Sequence, residues 1–145
     1  MTLFEKLTAV TAALDAAELP YALVGGLAVA VWGAPRATQD IDLLVRPKDV
    51  DAILGEVADL GFKLRAFPRT FEDGMRLQRV SRVEDGALLT LDLLLVNENL
   101  ESIFASRRLF DVEGHPVWVI SRDALIQMKA AAGRPQDALD IQSLE

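Results

Sequence analysis

Asp40 and Asp42 are the two side chains in this sequence best placed to do chemistry together. They open the run Asp40, Ile41, Asp42, Leu43, Leu44, Val45, whose alternation and β-favouring residues read as a strand. A period of two puts both carboxylates on one face with Cα atoms about 6.5 Å apart, where they repel unless a proton or a cation lies between them. Hard oxygen donors at that spacing suit Mg2+, which takes few protein carboxylates and completes its shell with water and substrate phosphate. Upstream, Tyr21 to Val24 favours β structure and ends at Gly25 and Gly26; the apolar Leu27 to Trp32 that follows is long enough for about two helical turns. Glycine admits positive φ and close approach, and a helix that starts there aims unpaired N–H groups forward, which outlines an anion site. A phosphate cradle beside a carboxylate pair points to phosphoryl or nucleotidyl transfer.

An acidic pair at this spacing is not distinctive by itself. With 22 acidic residues in 145, chance gives about three such pairs. Asp40/Asp42, Asp49/Asp51 and Asp111/Glu113 are those the chain has. Only the first lies on a strand-like run downstream of a double glycine; the others read as a solvated helix face and a turn. A third carboxylate is found in Ala87 to Val96, where Asp92 is the lone charge of an otherwise apolar run. An isolated carboxylate in a central strand is costly unless paired or metal-bound, so strand pairing is expected to bring Asp92 alongside Asp40 and Asp42. The alternatives for Asp92 are a water-facing place on an edge strand or a partner for an arginine such as Arg79 across the hairpin.

Gly25-Gly26, 13 residues from Leu27 to Gln39, then Asp40-Ile41-Asp42-Leu43 resembles the signature of the nucleotidyltransferase fold superfamily, relatives of DNA polymerase β. The double glycine followed by Gly33, Arg36 and Thr38 looks most like the abortive-infection toxin nucleotidyltransferases and small bacterial relatives. The commoner Gly-Ser form is absent, so Gly26 offers only its backbone N–H. The resemblance implies an α+β fold, a mixed β-sheet with helices packed mainly on one face. It also implies transfer of a nucleoside monophosphate from an NTP to a hydroxyl, with two Mg2+ ions about 3.5 to 4 Å apart. Asp40, Asp42 and Asp92 would then be both catalytic and metal-binding. Gly25, Gly26, Arg36, Thr38 and Lys129 would bind the nucleotide. Leu125 to Leu144 resembles the Lys-then-Arg, Asp and Asp pattern of the toxin-like members, which is what assigns Lys129 to the phosphates. Taken without the resemblance, Lys129 is a solvated helix lysine, and Arg134, Asp137 and Asp140 are a surface ion-pair group fixing two helices.

These residues need a scaffold, and the length suits a single domain spanning 1–145. Residues 2–18 form an amphipathic helix, with Thr2 and Glu5 at capping-box spacing and Leu3, Phe4, Leu7, Val10, Leu14 and Ala17 on one stripe. A helix from Pro47 to about Leu60 turns Ile53, Leu54, Val57 and Leu60 inward and ends at Gly61. Phe62 to Phe67 reads as a strand, Pro68 to Gly74 as a loop, and Met75 to Val83 and Ala87 to Val96 as a hairpin turning at Glu84-Asp85-Gly86. Asn97 caps a helix over 98–108, Leu109 to Val112 and Pro116 to Ile120 make a second hairpin at the sheet's edge, and Ser121 caps a helix over 122–132 ended by Gly133. A last short helix covers 136–144. His115, the sole histidine, falls in a turn and is given no role.

Composition narrows the partners. There is no cysteine, hence no disulfide or thiolate metal site, and no apolar run approaches a membrane span. The amino terminus lacks a cleavable leader, so a cytoplasmic protein is expected. A net charge of −7 argues against a surface that grips nucleic acid throughout. Between Gly61 and Arg82, however, six basic residues (Lys63, Arg65, Arg69, Arg76, Arg79, Arg82) face only Glu72 and Asp73, a local patch suited to polyphosphate or a short RNA, or else a set of outward-facing strand residues. The acceptor stays open among a tRNA end, a protein hydroxyl and a small molecule such as an antibiotic; a homo-oligomer or a cognate antitoxin is a compatible partner. The chain ends without the helical domain of larger relatives. The competing reading is therefore a non-catalytic nucleotide-binding or antitoxin-like interaction module of the same fold.

Overall fold

The first element forms as its capping residues dictate. Glu5 N donates to Thr2 Oγ1 at 3.1 Å while Thr2 N donates to Glu5 Oε1 at 3.3 Å, which starts α1 (Leu3–Ala16) with two otherwise orphaned donors satisfied. Leu7, Val10 and Leu14 are buried as their spacing requires. Thr8 and Thr11 are buried with them, their hydroxyls donating to the carbonyls of Glu5 and Thr8, so this face is wider than the apolar stripe. Ala17 is exposed and caps the helix. The computed structural model describes residues 2–33 and 38–145.

The strands assemble into one mixed sheet. Strands β1 (Tyr21–Val24) and β2 (Asp40–Val45) run antiparallel on either side of α2 (Gly25–Val31). Strand β3 (Leu64–Arg65), strand β4 (Arg69–Thr70), strand β5 (Arg76–Glu84), strand β6 (Ala87–Leu95), strand β7 (Arg108–Val112) and strand β8 (His115–Val119) complete it in the order β3-β5-β6-β2-β1-β8-β7, with β4 also on β5. Strand β6 pairs β2 in parallel and β8 pairs β1 in parallel; the other pairings are antiparallel. All of β1 is buried, which is why its sequence is continuously apolar. The fold is α+β with a mixed sheet, as expected. No helix among the described residues is long and apolar enough to cross a membrane.

Several boundaries differ from the sequence expectation for local reasons. The β5–β6 loop has two residues, not three: Glu84 pairs with Ala87, and Asp85 and Gly86 take φ of 51° and 79°, the mirror-image turn that matches strand twist. The expected helix over 47–60 is a 3-10 turn, Pro47–Asp49, followed by α3 (Val50–Ala58), with Leu60 only partly buried. The helix expected over 98–108 splits into a 3-10 turn and α4 (Glu101–Ala105), because Arg108 is taken by β7. Asn97 does cap it, accepting from Leu100 N at 3.1 Å. The strand expected over 62–67 shrinks to β3, since Pro68 lacks a ladder donor and the Gln78 side chain takes the Ala66 carbonyl; β4 lies inside the expected loop. The second hairpin has β7 at the edge and β8 one strand in. Ser121 and Gly133 bound α5 (Arg122–Ala132) as foreseen, and α6 (Pro135–Leu144) follows.

The basic segment does not form one patch. In the β5 ladder Arg79 shares a face with Asp92, whereas Arg76 and Arg82 lie on the opposite face, where Arg82 donates to the Leu60 carbonyl at 2.8 Å.

Strand β6 offers an internal control of this architecture. Leu91 is fully buried and Leu88 is 59% exposed. Leu91→Ala is expected to cost about 3 kcal/mol and Leu88→Ala less than about 0.5 kcal/mol, as measured by urea denaturation.

Candidate active site

Register places the three carboxylates. In the β2–β6 ladder Asp42 stands opposite Asp92 and Asp40 opposite Thr90. Directly opposed residues point to the same face, so Asp40, Asp42 and Asp92 share one. On the other side of Asp42 the β1–β2 ladder sets Val24, the residue before Gly25. Gly25 has φ +72°, and a Cβ there would stand 2.2 Å from Asp42 Oδ2 and 2.9 Å from Asp42 Cγ. Both the backbone conformation and the space require glycine. The close approach read from the double glycine is therefore real, and what it admits is the Asp42 carboxylate. Both glycines lie in the first turn of α2 and not ahead of it.

The charge so gathered is visible in Asp42. Burial, then the nearby charge of Asp92, then that of Asp40 push its carboxyl up from 3.8 to about 7; Lys129 and Arg134 act against the rise. Asp92 is compensated directly. Arg79 donates Nε to Oδ1 at 2.8 Å and Nη2 to Oδ2 at 3.0 Å, a two-point fork that raises the guanidinium pKa. The expected place of Asp92 and one of its alternatives are thus realised together: it is in the acidic row, and it pairs with Arg79 across the hairpin; β6 is not an edge strand.

The facing wall comes from the last two helices. Lys129, on α5, is only 5% exposed, and its Nζ lies 3.2 Å from Asp137 Oδ1 and 3.0 Å from Asp140 Oδ2, both on α6. Arg134 forks onto Asp137 at 2.7 and 3.0 Å. Burial pushes the Asp137 carboxyl upward, and the hydrogen bonds from Arg134 and Lys129 outweigh it, leaving the group below the ordinary carboxylate range. This corrects two sequence readings. Lys129 is not a solvated lysine, and Asp137 and Asp140, at 1% and 2% exposure, are not a surface ion-pair group.

A cleft of about 550 Å3 joins the two walls. Gly25, Gly26, Thr38, Asp40, Asp42 and Lys129 line it, so six of the sequence-predicted site residues meet there. Arg134 also lines it, a position the sequence suggested only as an ion-pair partner. Arg36 lies outside the described residues. His115 is exposed at the start of β8. Among the described residues no three acidic or histidine side chains are gathered so that they could hold a cation, and both oxygens of Asp92 are engaged by Arg79. The donor set nevertheless fits a hard divalent cation: three carboxylates share one face, and burial, then the charges of Asp92 and Asp40, hold Asp42 partly protonated near neutrality, a state that the charge of such a cation would oppose.

The sequence matches, over residues 1–145, the family described as nucleotidyltransferase of unknown function (DUF6036). No curated protein matches it by sequence. Solved structures share the fold. A lincomycin-bound lincosamide antibiotic adenylyltransferase, LnuA, superposes with a TM-score of 0.69 at 16% identity, covering 97% of this chain and 94% of its own. ANT(2″)-Ia in complex with adenylyl-2″-tobramycin gives 0.68 at 19% identity, covering 99% and 88%. An antigenic nucleotidyltransferase-like protein from Paracoccidioides brasiliensis gives 0.65 at 16% identity, covering 98% and 74%. The family match extends to nucleotidyltransferases and does not single out abortive-infection members.

Two outcomes follow from the glycine contact and the raised carboxyl. Gly25→Ala, by forcing Asp42 aside, should lower the melting temperature and remove nucleotide-dependent stabilisation in thermal shift. For Asp42 the native state holds a proton that the unfolded chain loses near pH 3.8; its contribution to stability is present below that pH and is lost as pH rises through about 7. In chelator, Asp42→Asn should therefore melt higher than the unaltered protein at pH 8, by about 3 °C, with the difference vanishing toward pH 4. Parallel curves would contradict the raised carboxyl.

Proposed function

We infer, since the chain belongs to the family described as nucleotidyltransferase of unknown function, that it transfers a nucleoside monophosphate from an NTP to a hydroxyl acceptor, acting as one domain over residues 1–145. One observation carries the reading: Asp40 and Asp42 face Lys129 and Arg134 across a single cleft, with Asp92 in register beside Asp42. Carboxylates and cations opposed in this way suit a substrate that is itself a polyphosphate bound with metal.

Asp40, Asp42 and Asp92 are the residues that would hold two Mg2+ ions, which when bound neutralise charge on the reacting phosphate and the leaving pyrophosphate. The acceptor oxygen attacks the α-phosphorus. A new P–O bond forms as the bond to the oxygen bridging the α- and β-phosphates breaks, and pyrophosphate leaves. The hydroxyl proton passes to a carboxylate oxygen of Asp92. The Gly25 and Gly26 N–H groups face the phosphate tail, Lys129 and Arg36 balance its charge, and Thr38 adds a hydroxyl donor. Arg134 joins Lys129 on the same wall.

The acceptor is a tRNA end, a protein hydroxyl or a small molecule. The adenylyltransferases of the same fold support nucleotidyl transfer as the reaction class. The likeness of Gly25-Gly26, Gly33, Arg36 and Thr38 to abortive-infection toxins extends the reading to a cytoplasmic toxin–antitoxin component, with a cognate antitoxin or a second copy as partner. A non-catalytic nucleotide-binding or antitoxin-like module is the second reading, and the Arg79–Asp92 fork is the observation on its side, because it treats Asp92 as a structural ion pair.

Labelled NTPs incubated with Mg2+, the protein and a total cell extract test the first reading. Label is expected in one acceptor fraction with stoichiometric pyrophosphate, and Asp40→Asn or Asp42→Asn should cut the rate roughly a hundredfold or more while far-UV circular dichroism is unchanged. Turnover retained in Asp42→Asn would remove that residue's role, and no NTP binding at all would favour the module.

A further inference from the structure

We propose that Arg79 is an internal counter-ion that occupies Asp92 until a divalent cation displaces it, after which its guanidinium turns to the phosphate of the bound substrate. This rests on the reading of Asp40, Asp42 and Asp92 as a cation site.

Three observations carry it. Arg79, Asp92 and Asp42 are successive partners across β5, β6 and β2, so the guanidinium stands in the acidic row itself. Its fork takes one hydrogen bond to each oxygen of Asp92, so both oxygens of the third carboxylate are engaged by Arg79. The pair is also lopsided. The Asp92 side chain is 10% exposed and that of Arg79 49%, so the acid is fixed in the sheet while the base reaches in from solvent and can leave.

The ion-pair group at Lys129 offers a comparison. Lys129 is 6% exposed on its side chain and its partners Asp137 and Asp140 are 1% and 3% exposed, so the two helices close over this lysine, while Arg134, 70% exposed, forks onto Asp137 from outside. Arg79 has no such cover, and among the described residues its guanidinium donates to Asp92. A guanidinium and a divalent cation on the same carboxylate repel each other, so binding of one weakens the other. Once released, a half-exposed guanidinium on the sheet face that carries Asp42 has the planar donor geometry that phosphate oxygens accept.

Calorimetry with Mg2+ alone tests the competition, using the unaltered protein, Arg79→Gln, Arg79→Lys and Asp42→Asn. Arg79→Gln should bind Mg2+ about tenfold or more tightly than the unaltered protein, Arg79→Lys should fall between them, and Asp42→Asn should lose binding. With saturating Mg2+, inorganic tripolyphosphate should bind Arg79→Gln more weakly than the unaltered protein. In thermal melts Arg79→Gln should lose stability in chelator and regain more of it on adding Mg2+ than the unaltered protein does, a recovery that a merely structural arginine would not produce. Equal or weaker Mg2+ affinity in Arg79→Gln, with binding still lost in Asp42→Asn, overturns the proposal and leaves the cation site standing. Absence of Mg2+ binding from every one of these proteins overturns both.

Discussion

The parallel pairing of β2 with β6 forces Asp42 and Asp92 into one row, with Asp40 one pleat away, and nearly everything around the cleft answers the charge this creates. Carboxylates on adjacent strands, about 4.8 Å apart and partly shielded from water, repel one another. Burial first, then the charges of Asp92 and Asp40, push the Asp42 carboxyl up, and Asp42 is held against the α2 turn. A sheet can keep such a row only if positive charge is supplied from outside it. Here that charge comes from Arg79 within the row and from Lys129 and Arg134 across the cleft.

The two sources of positive charge are built differently. Lys129 is buried with its own pair of aspartates, so its position is fixed by how α5 docks on α6, and breaking that closed group would leave a buried charge without a partner. Arg79 is half-exposed and forks onto Asp92. The first arrangement lies on the helix wall of the cleft; the second lies in the sheet, at the end of the acidic row. Gly25 completes the geometry, since any side chain there would collide with Asp42 and move the row away from the first turn of α2. Stability and site are therefore in tension at Asp42, the residue that the fold would hold more easily if it were neutral.

Much of this was legible in the sequence, and the reasons are specific. Period-two alternation located Asp40 and Asp42, the double glycine located the turn, and the isolation of Asp92 in an apolar run marked it as a carboxylate needing compensation. Capping residues fixed the starts of α1 and α5 because those signals are local. What could not be read was register and docking. The hairpin was expected to turn on three residues, and the two-residue turn at Asp85-Gly86 is what sets Arg79 opposite Asp92. The burial of Lys129 depends on α6 folding back over α5, which no property of either helix alone reveals. Likewise Thr8 and Thr11 are buried because their hydroxyls are satisfied within α1, so an apolar stripe undercounts that face. The basic run over 63–82 stayed open between one patch and a set of outward-facing strand residues, because sequence order does not say which face of the sheet each arginine takes.

The central claim, that three carboxylates from two parallel strands form one divalent-cation site, is tested most directly by crystals grown with Mn2+ and a non-hydrolysable NTP. An anomalous difference peak is expected between Asp40 and Asp42, at about 2.1 to 2.2 Å from their oxygens, with Asp92 turned to join it. A map with no peak at Asp40 and Asp42, in crystals where the nucleotide is bound, would contradict the account.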